Sequence, residues 1–401
     1  MARRLMLSVA QAQRRILALG HPLGSETLEV ARAAGRYLAA PLHAQRDQPP
    51  ADNSAMDGFA IRFADLPGPW TVIGESRAGH PFEGQVAPGQ ATKISTGAIL
   101  PDGADTVLVR EDAGMDDDRL SLSGDGPAEI GRHIRRAGGD FRRGDQLLAA
   151  GQLLGPGALA LAISSGLGTV DVGRRPSVTI LSTGNELAAP GSLAAANQIY
   201  DSNGPMLSAM MMGLCGDVQH LSGVEDDEAS VRAAIRSADN ADILVTIGGA
   251  SVGDHDHVKP ALVAEDAALD FWKIAMKPGK PLLAGTRGRQ VVIGLPGNPG
   301  SAFVTATLFL LPLLRHLAGA SDPLPTVGYA HLRTALPAGG SRTEFLRAQL
   351  DNGSIAVLGA QSSGLLHTLA AADALIQRPE HAPPVEAGTI IPYIALYKGN
   401  A

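Results

Sequence analysis

Four side chains of the types that commonly bind metals stand in consecutive positions, directly after an apolar run of the chain. Residues 246–260 read TIGGASVGDHDHVKP, with the acids and histidines at 254–257. Zinc usually takes ligands from separated segments, and four neighbouring side chains cannot all converge on one small ion. Magnesium needs only one or two carboxylates, together with water and ligand phosphate. We therefore expect Asp254 and Asp256 to bind a hard divalent ion.

The rest of this segment is expected to hold the ligand through its backbone. We expect the backbone of three glycines and one serine to form a cradle for phosphate. These residues are Gly248, Gly249, Ser251 and Gly253. We expect His255 to lie at the surface and His257 to pack or to form a hydrogen bond. A simpler alternative stays open, in which the segment is a polar turn ahead of a helix.

Two further apolar runs end in loops of the same kind. Residues 181–191, LSTGNELAAPG, offer two hydroxyls, a glycine that permits close backbone approach, and a carboxylate. These residues are Ser182, Thr183, Gly184 and Glu186. Residues 294–302, GLPGNPGSA, lead through Gly297 and Asn298 into a helix N-terminus, which is a natural anion site. Taken alone, each loop is more simply explained as the capped start of an ordinary helix. Three such loops at one edge of a sheet, however, favour a site for a phosphate-bearing ligand.

Two lysines flank a Pro-Gly turn between these loops. Residues 274–285 read IAMKPGKPLLAG, with Lys277 and Lys280 on either side of the turn. Taken singly, these side chains are typical of solvated turn lysines. Beside loops that are expected to hold phosphate, two ammonium groups on stiff backbone indicate a polyanion site.

Polar side chains are also crowded in the first third of the chain. Residues 52–60, DNSAMDGFA, place two aspartates, an asparagine and a serine around one methionine, although two consecutive turns would explain this pattern. A Ser-Thr-Gly sequence stands at 95–97. The linker that follows is rich in arginine, which is typical either of a solvated face or of a bidentate clamp for phosphate or an oxyanion. The arginines are Arg132, Arg135, Arg136, Arg142 and Arg143.

Periodicity and turn signals predict the elements that must position these residues. Residues 8–40 are predicted to be helical, beginning with a capping box at Ser8 and Gln11. Short strands between turns predict a β-rich module, inserted between this helix and a helix within 155–168 that packs with it. Strands then alternate with helices, which predicts a parallel, doubly wound sheet. The expected domains are 1–44 with 138–176 (helical and linker), 45–137 (β-rich), 177–324 (α/β) and 325–401 (small, all-β).

Composition narrows the class of protein. The chain has 401 residues, 45% hydrophobic and 18% charged, which fits a soluble protein of several domains. Aromatic residues make up only 4% and the net charge is −7, which argues against nucleic-acid binding. A single cysteine, Cys215, excludes internal disulfides and fits a reducing compartment. The longest apolar segment, 302–317, is too short to span a bilayer, so we expect a buried helix, no membrane contact and a cytoplasmic location.

Together these stretches occur in the order found in one family. The chain resembles the MoeA/gephyrin E-domain family, the molybdopterin molybdenumtransferases, through DNSAMDGFA, STGAILPDGADTVL, IRRAGGD, STGNEL, QIYDSN, GGASVGDHDHVK, KPGKP and GLPGNPGSA. The resemblance covers nearly the whole chain, and several of the motifs are long and specific.

The resemblance implies a fold, an assembly and a reaction. The fold is a multidomain α/β and β protein, whose central doubly wound domain is related to molybdopterin adenylyltransferases (MogA-like) and whose tail is barrel-like. The assembly is a homodimer, with each active site between the α/β domain of one subunit and the β-rich domain of the other. The reaction inserts molybdate into adenylylated molybdopterin with Mg²⁺ and releases AMP. A transient contact with a molybdopterin adenylyltransferase is also implied.

The resemblance also implies roles for individual positions. Catalytic roles fall on Asp57, Thr96, Arg135, Asp140, Glu186 and Asp226. Metal binding falls on Asp256, with Glu186 and Asp254 in support. Ligand contacts fall on Lys277, Lys280, Pro296 and Pro299, beside the glycines and hydroxyls named above. Asn185 stands where relatives often have aspartate, and Ser363 matches a Ser-Gly motif of the tail only loosely.

Two other functions compete with this interpretation. The α/β domain alone would suit a molybdopterin adenylyltransferase that uses ATP, but the β-rich module and the tail argue against that activity. A non-catalytic molybdopterin-binding scaffold is the other alternative. The scaffold branch of the family carries an additional domain and a long linker, for which we expect no room in 401 residues.

Overall fold

The computed structural model describes residues 6–248 and 257–396, with the backbone alone for 271–272. Up to residue 173 the elements are α1 Val9–Leu17, β1 Ser25–Glu29, β2 Leu42–His43, β3 Asn53–Ser54, β4 Gly58–Ile61, β5 Trp70–Ser76, β6 Gln90–Ile94, β7 Thr106–Val109, β8 Ala113–Asp116, β9 Arg119–Leu122, β10 Ile134–Arg135, β11 Gln146–Leu148, α2 Pro156–Ser164 and β12 Thr169–Gly173. Short 3-10 turns lie at Val30–Arg32, Phe63–Asp65 and Arg110–Asp112.

The second part of the chain alternates strands and helices and then returns to strands. Its elements are β13 Ser177–Thr183, β14 Leu187–Ala188, β15 Ile199–Tyr200, α3 Asn203–Met211, β16 Asp217–Val224, α4 Glu228–Ser237, β17 Ile243–Ile247, α5 Val258–Ala264, β18 Ala268–Lys273, β19 Met276–Lys277, β20 Pro281–Arg287, β21 Gln290–Leu295, α6 Pro299–Thr305, a π-helical turn Ala306–Leu310, α7 Leu311–Leu317, β22 Val327–Leu332, β23 Thr343–Asp351, β24 Ser354–Val357, α8 Leu366–Ala371, β25 Ala374–Arg378 and β26 Ile390–Ala395.

The first helix begins as predicted but ends early. Ser8 and Gln11 form the capping box, with the Gln11 N–H donating to Ser8 Oγ at 3.2 Å and the Ser8 N–H donating to Gln11 Oε1 at 2.9 Å. The helix stops at Leu17 and the chain continues into β1, so the prediction of helix up to residue 40 was wrong. The reason lies in LGHPLG, where a proline and a glycine with a φ of +88° at Gly24 interrupt the helical backbone.

The first helix also packs against a different partner from the one expected. Val9, Ala12 and Ile16 are buried in the main core of the α/β region, against α7 and the π-helical turn. Helix α2 packs instead on the 3-10 turn Val30–Arg32. The prediction that the two helices pack together was therefore wrong, and α1 joins the start of the chain to the α/β region.

The inserted β-rich segment forms a six-stranded sheet of order β7-β4-β6-β5-β9-β8. Five of its strands overlap strand-like runs of the sequence, whereas β8 was not predicted. One face packs a core around Phe59, Trp70, Leu108 and Leu120. The short pair β3–β10 aligns Asn53 with Arg135 and so joins the start of this segment to the linker that follows it.

The α/β region is built on a six-stranded sheet of order β16-β13-β17-β21-β20-β18. The first four strands are parallel, whereas β20 and β18 run antiparallel to their neighbours. Helices α1, α3, α6 and α7 cover one face and helices α4 and α5 cover the other. The predicted doubly wound architecture is confirmed, and all four parallel strands end at one edge of the sheet.

The apolar segment before the tail is a buried core helix, as predicted. Residues Pro299–Leu317 are long and apolar enough to cross a membrane by length and composition, but 78% of that window is buried inside the fold. The π-helical turn lies midway along this helix and directly precedes Leu311 and Pro312. Since proline has no N–H to donate, a local departure from α-helical bonding is expected at this point.

The tail closes into a small barrel. Strands β23, β24, β22, β26 and β25 pair in that order, and β25 pairs again with β23. The short strand β19, which contains Lys277, adds to β23 in parallel. Phe345, Leu375 and Ile394 extend from the barrel strands into the main core of the α/β region. These contacts fix the barrel against the α/β region.

Candidate active site

The loops after the parallel strands come together at the carboxyl edge of the α/β sheet. The Gly248 N–H donates to the Leu295 carbonyl at 3.0 Å, which joins the loop after β17 to the end of β21. A side chain added at Gly297 would place its Cβ 3.9 Å from the Gly248 Cα atom. Two of the glycine-rich stretches singled out in the sequence therefore lie in contact.

Part of the opening segment lies outside the described residues. This applies to Gly249, Ser251, Gly253, Asp254, His255 and Asp256. The description resumes at His257, which is partly buried and precedes α5, with its carbonyl accepting the Ala261 N–H at 3.1 Å. The expected cradle and the expected aspartate ligands stay predictions.

The loop after β13 brings a carboxylate back over its own backbone. Gly184 has a φ of +144°, and a Cβ atom built on it would lie 2.5 Å from Glu186 Oε2. Asn185 Oδ1 accepts the Asp226 N–H at 3.3 Å, which ties this loop to the one after β16. Glu186 and Asp226 therefore lie on neighbouring loops at the same edge of the sheet.

The donors at this edge fit a hard divalent ion better than zinc. No group of three or more His, Cys, Asp or Glu side chains within 6–248 and 257–396 is arranged to hold a metal. Magnesium requires fewer protein ligands, since water and ligand phosphate complete its shell. Glu186 and Asp226 supply carboxylate oxygens of that kind.

The N-terminus of α6 is the meeting point of three segments. Gly300 donates its N–H to the Ser363 carbonyl at 2.8 Å, and a Cβ atom added to it would lie 2.9 Å from the same oxygen. On another side, a Cβ atom at Gly279 of the KPGK turn would lie 3.7 Å from the Ser301 carbonyl oxygen in the first turn of α6, and 2.5 Å from Thr305 Cγ2 at the end of the same short helix. The Asn298-Pro299 start of the helix, the lysine turn and the tail loop thus converge, and Ser363 belongs to this group through its backbone.

The two lysines of the turn differ in their surroundings. Lys277 Nζ lies 3.7 Å from Glu344 Oε1 on β23, although more than half of the lysine side chain is exposed. Lys280 is exposed and forms no ion pair with any described residue. The charge of Lys280 is therefore the more available of the two for an anionic ligand.

An arginine that the sequence did not single out holds the tail loop in place. Arg347 on β23 is 3% exposed and donates through Nη1 to the Leu365 carbonyl at 3.0 Å and through Nη2 to the Ser362 carbonyl at 2.8 Å. Burial lowers the pKa of its guanidinium. The sequence did contain one signal for this role. Arg347 stands inside the apolar strand EFLRAQL, and a buried cation needs hydrogen-bond acceptors around it.

A second cluster of candidate residues lies in the β-rich segment. Asp57 Oδ1 accepts the Thr96 N–H at 2.7 Å, and this bond holds the pKa of Asp57 below its ordinary value. Both side chains are exposed. Gly58 has no space for a side chain, because its Cβ atom would lie 2.1 Å from the Leu108 carbonyl oxygen. The close contact between β4 and β7 at Gly58 therefore fixes the backbone next to Asp57, whose carboxylate is exposed.

The arginine-rich linker lies against the same segment. Asp52 accepts the Ala137 N–H at 2.8 Å and an N–H of Arg136 at 2.6 Å, and these bonds lower its pKa. The Asp140 N–H donates to the Gln48 carbonyl at 2.9 Å. Arg135, which pairs with Asn53 across β3 and β10, and Asp140 are both exposed.

Among the described residues, the second cluster has no hydrogen bond or ion pair to the loops at the carboxyl edge. This applies to Asp57, Thr96, Arg135 and Asp140. Ser182, one of the hydroxyls expected to contact the ligand, is fully buried and bonds to His220 instead.

Comparison with known proteins places this geometry in a family. Residues 7–166 match the MoeA N-terminal region (domains I and II), residues 179–316 match a "probable molybdopterin binding domain", and residues 329–396 match the MoeA C-terminal region (domain IV). Molybdopterin molybdenumtransferase 2 of Mycobacterium tuberculosis (strain ATCC 25618 / H37Rv) is 35% identical, over 96% of this chain and 98% of the relative. The chain belongs to the MoeA family of molybdopterin molybdenumtransferases.

Other members of the MoeA family agree with this assignment. The molybdopterin molybdenumtransferase of Haemophilus influenzae is 37% identical, over 78% of each chain. The MoeA protein of Pyrococcus horikoshii OT3 superposes with a TM-score of 0.83 at 26% identity, covering 98% of this chain and all of that one. The fold is therefore the MoeA fold along nearly the whole chain, as the sequence motifs predicted.

Proposed function

We propose that this protein inserts molybdate into adenylylated molybdopterin in a Mg²⁺-dependent reaction that releases AMP and yields molybdenum cofactor. Membership of the MoeA family supports this activity, because the curated relatives are named molybdopterin molybdenumtransferases. The observation that carries the proposal is the meeting of the glycine loops, the lysine turn and the tail loop at the N-terminus of α6. These groups together suit a ligand with phosphates and an oxyanion.

The groups at the carboxyl edge have complementary tasks in this reaction. The Asn298 N–H ahead of α6, which has no described acceptor, and the Lys280 ammonium bind phosphate and molybdate oxygens. Glu186 and the aspartates at 254 and 256 hold Mg²⁺, which when bound neutralises negative charge on the phosphates. Covalent attack by a thiol is not required, and burial raises the pKa of the one cysteine, Cys215, to about 12.

The second cluster supports a site shared between two subunits. Asp57, Thr96, Arg135 and Asp140 are exposed and have no described bond to the α/β edge of their own chain. We infer that the β-rich segment of one subunit completes the α/β site of the other in a homodimer. The exposed carboxylate of Asp57, which the Thr96 N–H holds in place, then positions the water or the substrate.

The cellular setting follows from the proposed chemistry. The proposed substrate is an adenylylated pterin, which an adenylyltransferase must supply, so we expect a transient contact with a molybdopterin adenylyltransferase. We place the reaction in the cytoplasm. The adenylyltransferase alternative is less favoured, because the family matches extend over the N-terminal, central and C-terminal regions of the chain.

The direct test is AMP release from adenylylated molybdopterin, with and without molybdate and magnesium. Release that requires both ions, accompanied by formation of active cofactor, supports the proposal. Asp57→Ala and Asp256→Ala are expected to lower this rate by about 100-fold or more. Full activity of both variants would refute the catalytic assignment. Formation of adenylylated molybdopterin from ATP and molybdopterin would favour the alternative enzyme.

The shared site has its own test, which uses two inactive variants in one mixture. If Asp57 and Glu186 serve the same site from different subunits, a mixed dimer of Asp57→Ala and Glu186→Ala chains contains one intact site. Random reassociation then restores about a quarter of the wild-type activity. If both residues serve a site within one chain, the mixture stays inactive.

A further inference from the structure

A segment outside the proposed ligand contacts joins three of the strand-end loops. Asp201 follows β15 and is 3% exposed. Its carboxylate accepts the Ser222 hydroxyl at 2.8 Å and the Gly204 N–H at 3.3 Å, and it lies 3.2 Å from His220 Nε2. Since Ser222 and His220 belong to β16 and Gly204 to α3, the carboxylate fixes the start of α3 to the end of that strand.

The same network reaches the end of β13. His220 Nε2 lies 3.0 Å from Ser182 Oγ, which is fully buried. A Cβ atom on Gly204 would lie 2.1 Å from the His220 ring, so only glycine leaves space for the imidazole there. The first turn of α3 is thereby held in a defined position relative to two of the parallel strands.

Asn203 extends this support to the loop before α6. Its Nδ2 group donates to the Gly297 carbonyl at 2.6 Å. Its Oδ1 atom is buried and has no hydrogen-bond partner among the described residues. Among the described residues, the Asn203 side-chain amide therefore bonds to the Gly297 carbonyl alone. This bond links two segments that are far apart in sequence.

This bond has a consequence for the next peptide N–H. The Gly297 carbonyl and the Asn298 N–H belong to one planar trans peptide unit, in which they point in opposite directions. Holding the carbonyl towards Asn203 therefore turns the Asn298 N–H away from α3. No acceptor for that N–H is described within residues 6–248 and 257–396. It is left as a donor ahead of the helix N-terminus.

We propose that Asn203 is a positioning residue for ligand binding, which acts through the Gly297 carbonyl to aim the Asn298 N–H at an anionic group of the ligand. The inference rests on the proposed function, in which that group is a phosphate of adenylylated molybdopterin. Asn203 does not contact the ligand itself. Asp201 and His220 hold the helix start from which Asn203 extends.

Two variants separate this role from simple packing. Asn203→Ala removes the donor, and Asn203→Asp keeps the shape but places a carboxylate oxygen against the Gly297 carbonyl. We expect the KM for adenylylated molybdopterin to rise about tenfold in Asn203→Ala and further in Asn203→Asp, with kcat changed less than about threefold. Asn240→Ala is the control, since Asn240 is exposed at the opposite edge of the sheet.

A second readout distinguishes failure of this inference from failure of the proposed function. The Kd for AMP, measured by calorimetry on the full-length dimer or monomer, should rise in both Asn203 variants and stay unchanged in Asn240→Ala. If wild-type protein binds AMP but does not convert adenylylated molybdopterin, the proposed function fails and the Kd values still test Asn203. Wild-type KM and Kd in Asn203→Asp, or no AMP binding by wild-type protein, would overturn the inference.

Discussion

The two edges of the α/β sheet use charged residues in opposite ways. The amino edge carries an open depression of about 470 Å³, lined by residues 239–242, 265–266 and 287–290. Its charges are largely bonded to one another, through Arg287 with Asp239, Arg236 with Glu265, and Arg174 with Asp242. The carboxyl edge instead has glycine-rich loops, exposed Glu186 and an exposed Lys280 without a described ion pair.

This difference shows why a depression lined by many charges is not the stronger candidate for a site. Charged side chains that already pair with one another have their charges compensated. A ligand would have to break these ion pairs, at a cost in free energy. At the carboxyl edge, the Asn298 N–H and the Lys280 ammonium have no described partner within the chain. We therefore expect the charges of the amino edge to contribute to stability and the groups of the carboxyl edge to bind the ligand.

A pair of glutamate variants tests this division most strongly. Glu186→Ala at the carboxyl edge should lower the rate of molybdenum insertion about 100-fold, because it removes a proposed metal ligand, while leaving Tm nearly unchanged. Glu265→Ala at the amino edge should lower Tm and preserve the rate. Measurement of the rate and Tm for both variants decides the point, and the reverse pattern would contradict the comparison.

A pair of glycine variants tests the convergence at the α6 N-terminus. Gly300→Ala should lower activity by roughly tenfold, because its Cβ atom would push away the Ser363 carbonyl and move the tail loop. The control is Gly288→Ala at the amino edge, which has open space but a φ of +58°. It should cost about 1 kcal/mol of folding free energy and leave activity intact. Equal activities in both variants would remove the tail loop from the site.

The cations at the two edges should differ by a smaller factor. Lys280→Ala is expected to raise KM severalfold and to weaken the dependence of KM on ionic strength, because a charge that attracts the ligand is lost. Arg289→Ala removes an exposed cation from the amino edge and should change neither quantity. Steady-state kinetics at two salt concentrations provide the measurement, and a matching loss in Arg289→Ala would argue for general electrostatic attraction instead.

The smallest effect concerns the pH dependence of stability. Hydrogen bonds from Arg236 and Arg232 lower the pKa of Glu265 to about 2, from 4.5. Since the folded-state pKa is depressed, the stabilisation is present above pH 4.5 and is lost as the pH falls towards 2. Glu265→Gln should therefore flatten the change in Tm across that window. If Tm changed with pH equally in wild-type protein and in Glu265→Gln, the ion pairs of Glu265 would contribute nothing measurable to stability.

The sequence predicted the carboxyl edge because the signals there are local. Apolar strand runs that end in glycines mark both the strand end and the loop, so Gly184, Gly248 and Gly297 were found without knowledge of their neighbours. Asn203 and Arg347 were missed because their partners are backbone carbonyls brought close only by the tertiary fold. The early end of α1 was missed because helical periodicity was extended across a Pro and a Gly.

The position of α1 also has a consequence for the order of folding during synthesis. The helix buries its apolar face against α7, which lies about 300 residues later in the chain. At a synthesis rate of roughly 5–20 residues per second, the helix waits about 15–60 s for that partner to be made. The six strands between Gly58 and Leu122 have all their partners within one short stretch. The inserted sheet can therefore form while the chain is still growing, and docking of the first helix is among the last steps.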